Sequence, residues 1–129
     1  MKLPVTKTPI QARYSDTDAL GHISSSSYIN YMEVGRAEFF YALAKDASVP
    51  YSAVVNINVD YVSEVIFGED ISVTSWCSRV GNKSMSVCNE VYAGDRLALK
   101  GVVTVVGFDP ETRQSVTLPD DWEPSDYPK

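Results

Sequence analysis

The spacing of apolar residues changes twice along this chain, and each change marks a boundary between elements. Residues 8–14 alternate apolar and polar well enough for a first strand. A stretch of turn chemistry follows, Ser15-Asp16-Thr17-Asp18-Ala19-Leu20-Gly21-His22, with aspartates and a glycine able to take unusual backbone angles. The period then lengthens. Tyr28, Tyr31, Met32, Gly35, Phe39, Ala42 and Leu43 recur at intervals of three and four, which predicts one helix with a single apolar stripe. Ser24, Ser25, Ser26 and Ser27 stand where a hydroxyl can cap the first turn, Lys45 suits the negative C-terminal end, and Pro50 marks the exit. Glu33 and Arg36 are spaced to pair on the helix surface. Gly35 within the stripe costs helix propensity, so it is expected where another backbone comes close.

From residue 53 the period falls to two. Segments 53–62, 71–80, 84–93 and 97–108 are rich in Val, Ile, Thr, Tyr and Trp, and read as strands. Gly81-Asn82 and Gly94-Asp95 punctuate them as hairpin turns, and Asp109-Pro110-Glu111-Thr112 ends the last. Residues 119–129 read as an irregular surface tail. A strand, one long helix and four more strands predict an α+β fold, one five-stranded antiparallel sheet curled around one central helix. Such a sheet keeps exposed edges that a second copy can bury.

The chain has 129 residues, room for one domain with a sizeable core and no second. The apolar run 101–108 is too short to cross a bilayer, and the first residues lack a signal-like apolar core, so a cytoplasmic protein that does not enter membranes is expected. Cys77 and Cys88 both fall in strand-like segments and are expected to be buried free thiols. The net charge of −6 argues against a nucleic-acid surface. A phosphate-bearing small ligand needs only a local cluster of cations, and Arg79, Lys83, Arg96, Lys100 and Arg113 lie in the strand-rich half.

Candidate chemistry is narrowed by elimination. With one histidine, His22, a histidine-based metal site or an independent Cys–His pair has little to work with, so no metal and no cofactor are expected. No Gly-x-Ser-x-Gly elbow, P-loop or dinucleotide fingerprint is present. What remains is carboxylates, hydroxyls and backbone dipoles, and these gather at the Asp16-Thr17-Asp18 turn feeding the helix. Free N–H groups at a helix start can polarise a carbonyl, and a carboxylate beside them can attack it or activate a water. The alternative is that both aspartates only shape the turn and cap the helix, with His22 a hydrogen-bonding turn residue and the aromatic stripe plain core.

Arg13-Tyr14-Ser15-Asp16-Thr17-Asp18-Ala19-Leu20-Gly21-His22-Ile23, followed by Tyr28-Ile29-Asn30-Tyr31-Met32-Glu33-Val34-Gly35-Arg36, resembles the signature of the 4-hydroxybenzoyl-CoA thioesterase family. Val59-Asp60-Tyr61-Val62, Gly68-Glu69-Asp70-Ile71, Gly81-Asn82-Lys83-Ser84 and Val116-Thr117-Leu118-Pro119 extend the likeness over nearly the whole chain. The resemblance implies a hotdog fold, a homodimer or homotetramer with sites at subunit interfaces, and hydrolysis of an acyl-CoA to the free acid and coenzyme A. It implies that Asp18 is the nucleophile or general base, that the backbone N–H of Ser25 polarises the thioester carbonyl, and that Ser84 lies near the substrate of the partner subunit. Asp16 is left to orient the turn. Tyr28, Tyr31 and Met32 are expected beside the acyl group, His22 among the substrate-binding residues, and Arg79 and Lys83 beside the phosphates of the nucleotide. Many relatives carry two asparagines where this chain has Ser24 and Ser25; a backbone donor at position 25 is independent of that change. Two other functions remain open: a thioesterase acting on acyl-carrier protein, and a non-catalytic module that binds acyl groups or coenzyme A.

Overall fold

The computed structural model describes residues 1–128; Lys129, the end of the expected tail, lies outside them. The chain forms β1 (Val5–Ile10), a 3₁₀ turn at Tyr14–Asp16, α1 (Ser25–Ala44), β2 (Ser52–Tyr61), β3 (Ile71–Val80), β4 (Ser84–Ala93), β5 (Arg96–Asp109) and β6 (Gln114–Ser115). All strand pairs are antiparallel, in the order β1-β3-β4-β5-β2, with the two-residue β6 added to the end of β5. The helix and the four later strands fall where the hydrophobic pattern predicts them. The sheet has one short strand more than the five expected.

The first strand is displaced from residues 8–14. Its ladder ends where Ile10 meets Ile71, the first residue of β3. Beyond it, Arg13 donates its N–H to Asp16 Oδ2 (3.0 Å) and Asp16 donates its N–H to the Arg13 carbonyl (2.9 Å), so the chain winds into a 3₁₀ turn. Pro9 is tolerated because β1 is an edge strand.

The helix packs against β1, β3 and β4. Tyr28, Tyr31, Met32, Gly35, Phe39 and Leu43 are buried, facing Val73, Val87, Val91, Leu99 and Val103 of the sheet. Gly35 lies tight against β3, though against side chains and not the backbone expected: a methyl group there would meet Val73 Cγ1 at 2.6 Å and Ser75 Oγ at 2.9 Å. Lys45 is the C-cap residue. Glu33 is exposed and Arg36 half-buried, and the expected ion pair between them does not form. Cys77 and Cys88 are buried and unpaired, and no helix is long and apolar enough to span a membrane among the described residues.

The C-terminal segment is irregular, as expected, but it is not a loose surface tail. Leu118 and Trp122 are buried. The Ser125 N–H bonds the Cys77 carbonyl (2.8 Å) and its hydroxyl accepts the Cys77 N–H (2.8 Å), so the segment continues the edge of β3 that β1 leaves open. Tyr127 packs edge-on against Trp76, with ring centroids 4.6 Å apart.

Candidate active site

Asp16 and Asp18 are two residues apart and sit in opposite environments. Asp16 is buried. Its Oδ2 accepts the Arg13 N–H (3.0 Å) and the Tyr31 hydroxyl (2.7 Å), and its Oδ1 accepts Arg13 Nη2 (3.2 Å). The Arg13 N–H, then the Tyr31 hydroxyl, hold this carboxyl below its ordinary range against the opposing effect of burial. Burial of the ring, then the same carboxylate, push the Tyr31 phenol well above its ordinary value. The Asp16 carbonyl in turn accepts the hydroxyls of Ser24 (3.0 Å) and Ser27 (2.9 Å). The serines therefore do not cap α1 as expected. Ser24 is the N-cap residue by its extended backbone, but its hydroxyl ties the 3₁₀ turn to the helix.

That diversion leaves the helix start open. Among the described residues nothing accepts a hydrogen bond from the N–H of Ser25 or Ser26, and these donors carry the positive end of the helix dipole.

Asp18 lies just ahead of them on an exposed turn. Its Oδ1 accepts the N–H of Leu20 (2.8 Å) and of His22 (3.1 Å), while its own N–H bonds the His22 carbonyl (2.8 Å). Gly21 closes this loop at φ +80°, a conformation glycine adopts without a Cβ clash. The Leu20 N–H, helped by that of His22, holds the Asp18 carboxyl below its ordinary range, so it is ionised at neutral pH. Both bonds land on Oδ1, and no described residue bonds Oδ2. One carboxylate oxygen is thus fixed by the backbone and the other is available.

A cavity of about 330 Å³ opens beside this loop, a volume suited to a small organic group. Asp18, His22, Ser25 and Tyr28 line one side. The other is formed by the end of β2 and the loop after it, Tyr61 to Glu64. The Tyr61 hydroxyl donates to the Ser25 carbonyl (2.9 Å) and its ring packs edge-on against Tyr28 at 5.6 Å. The Tyr28 hydroxyl accepts the Val65 N–H (3.1 Å), and burial pushes its phenol up, so it stays neutral. Arg96 staples this second wall: Nη2 bonds the Glu64 carbonyl and both Glu69 carboxylate oxygens, each at 2.9 Å.

Four of the residues singled out in the sequence, Asp18, His22, Ser25 and Tyr28, meet around this one cavity. Tyr31 does not reach it within one chain; it is bonded to Asp16 and faces a separate cavity with Arg13 and Asn30. Met32 is buried against Gly101, where a side chain would collide with it. Arg79 and Ser84 bond each other (3.0 Å) on the β3–β4 hairpin, with Lys83 exposed beside them. Ser84 is seven residues along β4 from Val91, the residue level with Leu99 and so with Tyr61, which is about 23 Å at ~3.3 Å per residue. Tyr61, Ser63 and Glu64 carry no spacing signal that marks them as site residues; only the pairing of β2 with β5 delivers them. Among the described residues no three His, Cys, Asp or Glu side chains gather as metal ligands.

One helix on an antiparallel sheet, with an ionised carboxylate and unbonded N–H groups at the helix start, is the arrangement to set beside known proteins. The chain belongs to the thioesterase-like superfamily, whose profile matches residues 12–123. Over 81 residues it is 36% identical to YneP of Bacillus subtilis (strain 168), named as a candidate acyl-CoA thioesterase; the match spans just over half of either chain, 56% of each. Among solved structures it resembles a predicted thioesterase from Bacillus stearothermophilus at 30% identity and a TM-score of 0.81, over 92% of this chain and 90% of that one. A thioesterase from Thermus thermophilus, solved with coenzyme A and zinc, shares the fold at 24% identity with a TM-score of 0.78, over 92% and 93%. The hotdog architecture expected from the sequence is the one this chain adopts.

Proposed function

We propose that this protein hydrolyses acyl-CoA thioesters to the free acid and coenzyme A, with Asp18 acting on the thioester carbonyl as nucleophile or general base. The observation that carries this reading is the carboxylate at position 18, ionised, with Oδ2 unbonded, opening on a cavity at the start of α1. A thioester carbonyl seated there has the Ser25 N–H as a donor to its oxygen and Asp18 Oδ2 as the attacking or water-activating group. The backbone loop fixes the carboxylate before substrate arrives, so little reorganisation is needed. Tyr28 and Tyr61 offer an aromatic lining for the acyl group.

The site is completed by a second copy. The helix packs on β1, β3 and β4, so the face of β2 carrying Val54, Ile57 and Tyr61 stays exposed (44%, 44% and 52%) along an unpaired edge. Antiparallel pairing of two β2 strands brings the Ser52 end of one copy to the Tyr61 end of the other. Ser52 is level with Gly107, whose N–H bonds the Lys83 carbonyl (2.8 Å). The hairpin bearing Arg79, Lys83 and Ser84, remote from the cavity of its own chain, then serves the cavity of its partner. Coenzyme A bound to the Thermus thermophilus protein of the same fold supports a coenzyme A substrate. The net charge of −6 disfavours an acidic carrier protein in its place. Two unpaired buried thiols fit a reducing compartment, and we place the protein in the cytoplasm.

A panel of short-chain, long-chain and aryl CoA esters, assayed with a thiol reagent, tests the activity. Wild type is expected to release thiol from at least one class, and Asp18→Ala to lose on the order of hundredfold or more in turnover on that ester. Equal rates in the two proteins remove Asp18 from the mechanism.

A further inference from the structure

The cavity beside Asp18 contains the one histidine of the chain and a second carboxylate, Glu64. His22 is locked to the Asp18 loop from both sides: its N–H bonds Asp18 Oδ1 (3.1 Å) and its carbonyl accepts the Asp18 N–H (2.8 Å). It also bridges to Ile66, in the chain just beyond the opposite wall. Both locks use backbone groups, so the imidazole is fixed at its root and free at its ring. Nε2 lies 3.7 Å from Glu64 Oε2. Glu64 is anchored through its carbonyl, which accepts Arg96 Nη2 at 2.9 Å, while its side chain stays 75% exposed and able to turn.

We infer that His22, oriented by Glu64, is the base that deprotonates water in the second half of the reaction proposed above. The inference rests on Asp18 acting as nucleophile. In the first half, Asp18 Oδ2 bonds to the acyl carbon, the C–S bond breaks, and the coenzyme leaves as thiolate, giving a mixed anhydride between Asp18 and the acyl group. The carboxylate is then spent and cannot also take a proton from water. A second base has to reach the same cavity, and the imidazole, which lines it and carries a ring nitrogen able to accept a proton, is the group placed to serve. With Nε2–H turned toward Glu64, neutral His22 keeps Nδ1 as its acceptor. Water loses a proton to Nδ1 and its oxygen bonds to the acyl carbon. The C–O bond to Asp18 breaks, which restores the Asp18 carboxylate and releases the acid, and the imidazolium proton passes to the thiolate. Glu64 is a positioning residue, acting through His22. The 3.7 Å separation lies just outside hydrogen-bond range, a gap a rotation of the exposed Glu64 side chain closes.

The experiment follows thiol release and enzyme mass together, on whichever ester wild type turns over. His22→Ala leaves the backbone locks intact, and is expected to release a burst of about one thiol per active site and then turn over at least about a hundredfold more slowly than wild type. Mass spectrometry finds the acyl adduct on Asp18, and added imidazole restores the slow phase. Glu64→Gln shows the same burst with a smaller loss, and Glu64→Asp recovers part of it. Wild-type turnover in His22→Ala, or slow turnover with neither burst, adduct nor imidazole rescue, overturns the role of His22. Unchanged kinetics in Glu64→Gln removes the carboxylate from the pair. If wild type releases thiol from no ester in the panel, the thioesterase reading itself fails, a result distinct from either of these.

Discussion

Within the Asp-Thr-Asp turn, the two carboxylates differ in how many of their lone pairs the protein takes. Asp16 is buried with three donors on its two oxygens; Asp18 keeps one oxygen unbonded. Residue pattern alone treats the two alike, because both are ordinary turn and cap residues; only the family resemblance distinguishes them in the sequence. The distinction has consequences for stability. The folded carboxyl of Asp16 is held below its unfolded value, so the unfolded chain binds more protons at acid pH. The stability Asp16 contributes is therefore present above the unfolded value, about 3.9, and is lost as pH falls below it through the folded value. Unfolding followed by urea across this window is expected to show a steeper acid loss for wild type than for Asp16→Asn. At neutral pH, Tyr31→Phe removes a hydroxyl bonded to a buried charge and is expected to cost about 1–3 kcal/mol. A Tyr31→Phe variant as stable as wild type means that the Asp16 network does not hold the turn.

Among the elements, periodicity located α1 and the ladder from β2 to β5 to within a residue or two, because α1 and β3 to β5 bury one face against a single core, while exposed β2 is marked by its Val and Ile content. It misplaced β1, where the reciprocal Arg13–Asp16 bonds outcompete an alternating stretch, and it missed the anchoring of the C-terminal segment, where Ser125 bonds Cys77, far away in the sequence. The second wall of the cavity was hidden for the same reason, since Tyr61 and Glu64 join Asp18 only through tertiary pairing. Gly35 is the converse case, a residue whose cost in the helix pointed directly to a packing reason. Gly35→Ala gains about 1 kcal/mol in helix propensity, but its methyl group meets Val73 and Ser75 inside contact distance. Overpacking of this kind costs about 1–3 kcal/mol, so the variant is expected to melt lower than wild type. A higher melting temperature would show that α1 can lift from β3 without penalty.

For the whole molecule, the position of α1 over β1, β3 and β4 leaves the β2 edge as an apolar surface that the fold does not cover itself. Monomeric proteins rarely keep an unpaired apolar strand in water. Sedimentation is expected to give a mass of at least twice the 14.2 kDa of one chain. Ile57→Lys, which places a charge on that face, is expected to shift the protein to monomer and to lower turnover with it, because only the proposed dimer would carry Arg79, Lys83 and Ser84 to a cavity. Monomeric Ile57→Lys with full activity would mean that one chain suffices for catalysis.

Asp18→Asn keeps the shape of the side chain and the two backbone hydrogen bonds to Oδ1 while removing the charge. Steady-state hydrolysis of the preferred acyl-CoA by this variant is the most direct measurement: kcat is expected to fall by about a hundredfold or more, with KM and melting temperature close to wild type. A kcat within about twofold of wild type would contradict the account, since the negative charge beside the open helix start would then have no part in the chemistry.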